Sequence, residues 1–184
     1  MTLRQALTEA AAHLALDSDL REHAARDAEL LLLHVLHIPR STLLAYPGRE
    51  LSAAASSLYD SLIRRRLQRE PIQYITGQQD FYGLTLRVTP AVLIPRPETE
   101  HLVEAVLARL PHHQPLRIAD IGTGSGAIAI ALAVHLPQAQ ITALDLSPQT
   151  LEVAQSNART HRVAHRITFL RSDLLTEAGP SAPP

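Results

Sequence analysis

The chain has 184 residues, enough for one domain or two small ones, and 46% of them are hydrophobic, which is material for a core. A formal charge of −1 argues against a surface built throughout for nucleic acid, and the lack of cysteine excludes disulfides and thiolate metal sites. All 17 basic residues are arginine, so Schiff-base and P-loop lysine chemistry are excluded as well.

The N-terminus, MTLRQALTEAAAHLAL, carries Arg4, Gln5 and Glu9 and does not read as a signal peptide. No apolar run approaches the roughly 20 residues of a membrane span, and a cytoplasmic, soluble protein is the expectation. Residues 1 to about 70 read as helix. Leu3, Leu7, Ala10 and Leu14 recur at helical spacing, as do Ala24, Ala28, Leu31 and Val35. Thr2 with Gln5, and Asp19 with Glu22, have the spacing of capping boxes. Pro39 is expected to end the second helix, and Ser52 to cap another that runs through Leu58 and Leu62 to about Arg69. Nine arginines balance nine acids here, and the expectation is a small helical bundle over 1–70. The run Arg64-Arg65-Arg66, with Arg69, admits a nucleic-acid reading. The alternative is a solvated helix end whose cations suit the negative pole of the macrodipole. The second is preferred, because no aromatic residues interleave as stacking platforms.

From Pro71 the rhythm changes. PIQYITGQQDFYGLTLRVTPAVLIPRP alternates apolar and polar residues around Gly77 and Gly83, which predicts short strands or a hairpin, a linker over 71–97. Helix resumes near Pro97, with Glu98 and Glu100 at its positive end. An α/β rhythm follows over 98–184. Strand LRIADI (116–121) leads to a helix around 126–135, strand QITALDL (140–146) to a helix from Pro148 to about Thr160, and strand RITFLRS (166–172) comes last. Strands alternating with helices imply parallel pairing and right-handed crossovers, the opening half of a doubly wound, Rossmann-like sheet.

The strongest chemical signal lies where the first of these strands turns into its helix: Asp120-Ile-Gly122-Thr123-Gly124-Ser125-Gly126. Glycines there let the backbone turn sharply and approach a ligand closely. The dinucleotide fingerprint is G-x-G-x-x-G, but here the third glycine comes one position early. Asp120 would also repel a diphosphate. S-adenosylmethionine fits better, since it has no phosphate and its ammonium and sulfonium tolerate carboxylates. Asp145 ends the second strand and is placed to accept from ribose hydroxyls. Asp173 ends the third, either near an adenine amino group or as an ordinary Asp opening a turn, and Leu174 could touch the base.

Gln73-Tyr74-Ile75-Thr76-Gly77, Phe81-Tyr82-Gly83, Leu93-Ile94-Pro95-Arg96-Pro97-Glu98-Thr99-Glu100 and the stretch 120–126 together closely resemble the bacterial protein-(glutamine-N5) methyltransferases that modify peptide chain release factors. The resemblance runs from the helical N-terminal region to Asp173, and the IPRPETE segment is its most specific part. It implies a class I methyltransferase domain that moves a methyl group from S-adenosylmethionine to the glutamine amide of the Gly-Gly-Gln motif in class 1 release factors. Carried over, residues 122–126 would line the methionine portion, Asp145 the ribose, and Asp173 with Leu174 the adenine. The family often has an aromatic where Leu174 stands. Its helical N-terminal domain helps engage the release factor, which makes residues 1–70 a docking candidate. Arg96 reads either as a surface partner of Glu100 or as a shaper of the pocket mouth.

An amide nitrogen is a poor nucleophile because its lone pair is delocalised into the carbonyl. Transfer needs the amide held in line, with its N–H groups engaged. The family grips it with Asn-Pro-Pro-Tyr at the end of a fourth strand, and no such motif occurs in this sequence, whose only asparagine is Asn157. The expectation is therefore a C-terminally truncated or interrupted form of a longer enzyme, with no catalytic residues of its own, an unpaired sheet edge at 118–121 and no activity alone. His34 with His37, and His112-His113, lack carboxylate partners at ligand spacing and read as solvated surface, not metal sites. Two further readings stay open: a related methyltransferase acting on a ribosomal-protein glutamine or a nucleic-acid amine, and a non-catalytic binding module.

Overall fold

In the computed structural model, which describes residues 1–111 and 114–176, the chain divides after Thr76 into two units. His112, His113 and the proline-rich stretch after Thr176 lie outside the described residues.

The first unit is helical: α1 (Leu3–Leu14), α2 (Ala24–Leu36), α3 (Arg40–Ala45), α4 (Ala53–Leu67) and α5 (Ile72–Thr76). Thr2 and Gln5 form the expected capping box, each side chain accepting from the other's backbone N–H. The next two N–H groups of α1, those of Leu3 and Arg4, donate to the carbonyls of Arg49 and Pro47. Leu3, Ala6, Ala10 and Leu14 face a core shared with Leu31, Leu32, Tyr59 and Ile63. The buried Tyr59 hydroxyl donates to the Ala28 carbonyl at 2.9 Å, and burial pushes its pKa up.

Asp19 caps no helix. Asp17 holds the Asp19 N–H in an Asx turn, α2 starts only at Ala24, and Asp19 pairs with Arg69. α2 ends at Leu36, not at Pro39, because His37 turns into the left-handed region at φ 50; Pro39 precedes α3 instead. Ser52 does cap α4, accepting from Ala55. The stretch 72–76 is a helix, not a strand: Pro71 starts it, the Ile75 side chain is buried, and Gly77 (φ 73) closes it. The helical unit therefore runs six residues past the expected limit of 70.

The second unit begins with a hairpin, β1 (Gln78–Phe81) and β2 (Leu84–Arg87). Its two-residue turn, Tyr82-Gly83, has positive φ at both positions, which matches the right-handed twist of the strands. Glu100 accepts from the Tyr82 N–H at 2.9 Å. Arg96 is exposed, and among the described residues no ion pair joins it to Glu100. The hairpin is more than a linker, for Phe81 and Leu86 lie in the core of this unit.

After α6 (Glu100–Leu107) come β3 (Leu116–Ile121), α7 (Ala127–His135), β4 (Ala139–Asp145), α8 (Pro148–Thr160) and β5 (Ile167–Arg171). The three strands pair in parallel in the order β3-β4-β5. β3 is an edge, with no strand on its far side among the described residues. α7 is apolar all round, AIAIALAVH, and six of its nine residues are buried, as a helix with no polar face requires. No helix among the described residues is long and apolar enough to cross a membrane.

Candidate cofactor site

The carboxyl ends of β3 and β4 meet at residues 120–126 and 145–147, where an open parallel sheet offers a crevice. The loop after β3 begins by folding back on β4, as the N–H groups of Gly122 and Thr123 both donate to the Leu144 carbonyl at 2.9 Å. Three glycines carry positive φ: Gly122 (75), Gly124 (57) and Gly126 (82). They differ in what surrounds them. A Cβ on Gly122 would meet nothing within 4 Å, and one on Gly124 only a loop carbonyl at 4.0 Å, so this face of the loop is open. A Cβ on Gly126 would fall 2.9 Å from Ile130 Cδ1 and 3.2 Å from Ala154 Cβ. Gly126 is thus the packing glycine between α7 and α8.

Asp120 is buried, and its Oδ2 accepts from the Thr123 hydroxyl at 2.7 Å and the Ala129 N–H at 3.2 Å. Gly126 has no side chain to cap α7, so this carboxylate serves its N-terminal turn from the end of β3. Burial raises the pKa of Asp120; the bonds from Thr123 and Ala129 oppose that shift, and the nearby Asp145 adds to it. Thr123 and Ser125 are both buried.

Asp145 is half-buried. Its Oδ2 accepts from the Gly124 N–H at 3.2 Å and its Oδ1 from the Ser147 N–H at 3.0 Å. Each oxygen keeps a lone pair for a hydroxyl donor. Asp173 and Leu174 lie just past β5, both exposed, and the Asp173 carbonyl accepts from the Thr176 N–H and hydroxyl, so it opens a turn. Ile121, Leu146 and Leu174, each just past or at the end of its strand, leave apolar side chains exposed. The loop 120–126 contains no basic residue. This set of donors and acceptors fits S-adenosylmethionine: an open glycine loop, a carboxylate for hydroxyls, apolar surface for a base, and no cation for a diphosphate.

One residue of the site escaped the sequence reading. Asn157, on α8, is 2% exposed and donates through Nδ2 to the carbonyls of Ser125 and Arg87, both at 2.9 Å. Its Oδ1 accepts from the Arg87 N–H at 2.8 Å. A signal existed. Thr150, Leu151, Ala154, Asn157 and Ala158 share the buried stripe of α8, and an amide at such a position must find partners.

Residues 5–77 match the family described as the PrmC N-terminal domain, and residues 99–182 that described as the methyltransferase small domain. A release factor glutamine methyltransferase of Koribacter versatilis is 48% identical over 181 residues, covering 98% of this chain and 63% of that protein. One from Moorella thermoacetica is 49% identical over 175 residues, covering 95% of this chain and 61% of that protein. The Escherichia coli protein of the same description is 47% identical over 152 residues, covering 83% and 54%. The chain therefore spans less than two thirds of the length of these curated relatives. With both of its units matched, the chain belongs to the release factor glutamine methyltransferase family.

Proposed function

We propose that the second unit holds S-adenosylmethionine and that the reaction it serves is methylation of the glutamine side-chain amide in the Gly-Gly-Gln motif of class 1 release factors. The observation that carries this reading is the loop 122–126, open above Gly122 and Gly124 and tied to Asp145 through the Gly124 N–H. When bound, the cofactor supplies an electrophilic methyl group on a sulfonium. Gly122, Thr123, Gly124 and Ser125 receive the methionine portion along the open backbone. Asp145 accepts from the ribose hydroxyls, and Asp173 with Leu174 borders the adenine. Asp120 and Gly126 act from inside, holding the loop's shape. The first unit is the docking candidate for the release factor.

The acceptor side is a different matter. An amide nitrogen needs its N–H groups gripped before it can attack. Asn-Pro-Pro-Tyr is not in this sequence, and the one asparagine is committed within α8. The chain alone is accordingly read as a donor binder that transfers no methyl group. A nucleic-acid substrate is disfavoured because Arg65, Arg66 and Arg69 are each engaged by an acid of their own unit, Glu70, Asp27 and Asp17.

The test is mass spectrometry of a class 1 release factor incubated with the chain and the cofactor. The chain alone should leave the Gly-Gly-Gln peptide unmodified. The chain joined to the Asn-Pro-Pro-Tyr portion of a relative should add one methyl group to that glutamine. A methyl group placed by the chain alone would overturn the reading of its inactivity, and one placed on another residue or on RNA would overturn the substrate.

A further inference from the structure

Two side chains of α8 and that of His161, the residue that caps its C-terminus, reach the same neighbouring strand edge. Thr150 donates its hydroxyl to the Ala91 carbonyl at 2.8 Å, Asn157 exchanges two bonds with the backbone of Arg87, and the His161 ring donates from Nε2 to the Thr85 carbonyl at 2.9 Å. The spacings of seven and eleven residues are close to two and three helical turns, so the three lie in one row along the helix. Their partners, residues 85, 87 and 91, belong to β2 and to the segment that leads into Pro95-Arg96-Pro97. In the middle of this row Asn157 imitates a strand, taking both the N–H and the C=O of Arg87 as a paired backbone residue would.

Only Asn157 reaches further. Its second Nδ2 hydrogen goes to the Ser125 carbonyl, inside the glycine loop and one residue beyond the Gly124 whose N–H Asp145 holds. Both donors and the acceptor of one amide are thus committed, and the side chain is sealed from solvent. Only an amide of this length satisfies the geometry. An aspartate would turn an oxygen toward two carbonyls, and leucine would leave three backbone groups without partners.

We propose that Asn157 is a positioning residue that couples the glycine loop to β2 and the segment after it, so that neither moves without the other. It touches no donor atom and acts through the Ser125 and Arg87 backbones. This inference rests on the reading of the loop as the S-adenosylmethionine site, so its test has one arm that needs no cofactor.

That arm is native-state amide exchange on the wild-type chain in rising denaturant. Residues 84–92 and 121–127 should open as one unit, with the same denaturant dependence. Independent opening of the two segments would overturn the coupling, whatever the cofactor does. The second arm is calorimetric titration of S-adenosylmethionine. Asn157→Asp and Asn157→Ala should each weaken binding at least about tenfold, since every factor of ten is a modest 1.4 kcal/mol. Thr150→Val releases only the Ala91 carbonyl and should stay within about twofold of wild type. If the wild-type chain ignores the cofactor while the two segments still open together, the functional reading fails and the coupling stands. If the Asn157 variants melt earlier yet bind as wild type does, the residue is structural only and the proposal falls.

Discussion

The two units handle polar side chains in opposite ways. In the first, charged groups pair across the outside: Arg40 with Glu29, Arg65 with Glu70, Arg69 with Asp17 and Asp19, and one half-sheltered pair, Arg66 with the buried Asp27. In the second, the only contact of this kind among the described residues is His101 with Glu104, an ion pair only when the imidazole carries its second proton, and the polar groups go inside: Asp120, Thr123, Ser125, Thr150, Asn157 and Ser172. The reason is the backbone. Helices satisfy most of their own N–H and C=O groups, so a bundle needs few buried polar side chains. A glycine loop and a hairpin edge packed beneath a helix leave backbone groups that only side chains can reach. The polar interior of the second unit therefore answers its irregular backbone, and the same irregular backbone makes the cleft.

That contrast can be broken at its strongest points first. Arg66→Ala leaves Asp27 buried without its partner and should cost the first unit about 3–5 kcal/mol, with the second unit unaffected; native-state exchange, read unit by unit, measures this. Replacing both Arg66 and Asp27 with apolar residues should recover most of that loss. In the second unit, Gly126→Ala meets Ile130 and Ala154 and a positive φ together, for a loss of about 2–4 kcal/mol. Gly122→Ala meets only the φ, for about 1 kcal/mol, and should be felt more in cofactor binding than in melting.

Acid should separate the units by sign. The Asp19 N–H holds the Asp17 carboxyl below its ordinary range, and the Arg65 guanidinium does the same for Glu70. Their stabilisation is present at neutral pH and is lost as pH falls through those depressed values, beneath the ordinary carboxylate range. Burial raises Asp120, so its contribution is greatest below the ordinary carboxylate value and is lost as pH rises through the raised, folded one. Exchange profiles between about pH 6 and 3 should show the first unit weakening while the Asp120 contribution to the second grows. The smallest effect belongs to the exposed pairs: Arg69→Gln, or high salt, should leave the melting of the first unit almost unchanged, because water screens that pair.

How much of this was legible depended on the range of the forces involved. β3 spans the residues that the apolar rhythm of LRIADI marks out, and α8 starts at Pro148 and ends at Thr160 as its pattern implies, because both signals are local. The loop was legible for the same reason, as three glycines and an acid lie within seven residues. PIQYIT misled, since its apolar alternation over six residues suits a strand as well as a single helical turn, and packing of Ile75 decided for the helix. Asp120 was legible as an acid at a strand end but not as the cap of α7, which depends on Ala129 nine residues away. Asn157 was least legible of all. Its partners lie 32 and 70 residues upstream, and no local pattern joins them.

The account rests on the open glycine loop and the Asp145 carboxylate acting as one receptor. Calorimetric titration of S-adenosylmethionine into the wild-type chain and into Asp145→Ala tests that most directly. Saturable one-to-one binding, weakened at least about tenfold by the substitution, is the predicted result. Occupancy of the cleft by NADH in its place, or binding indifferent to Asp145, would contradict it.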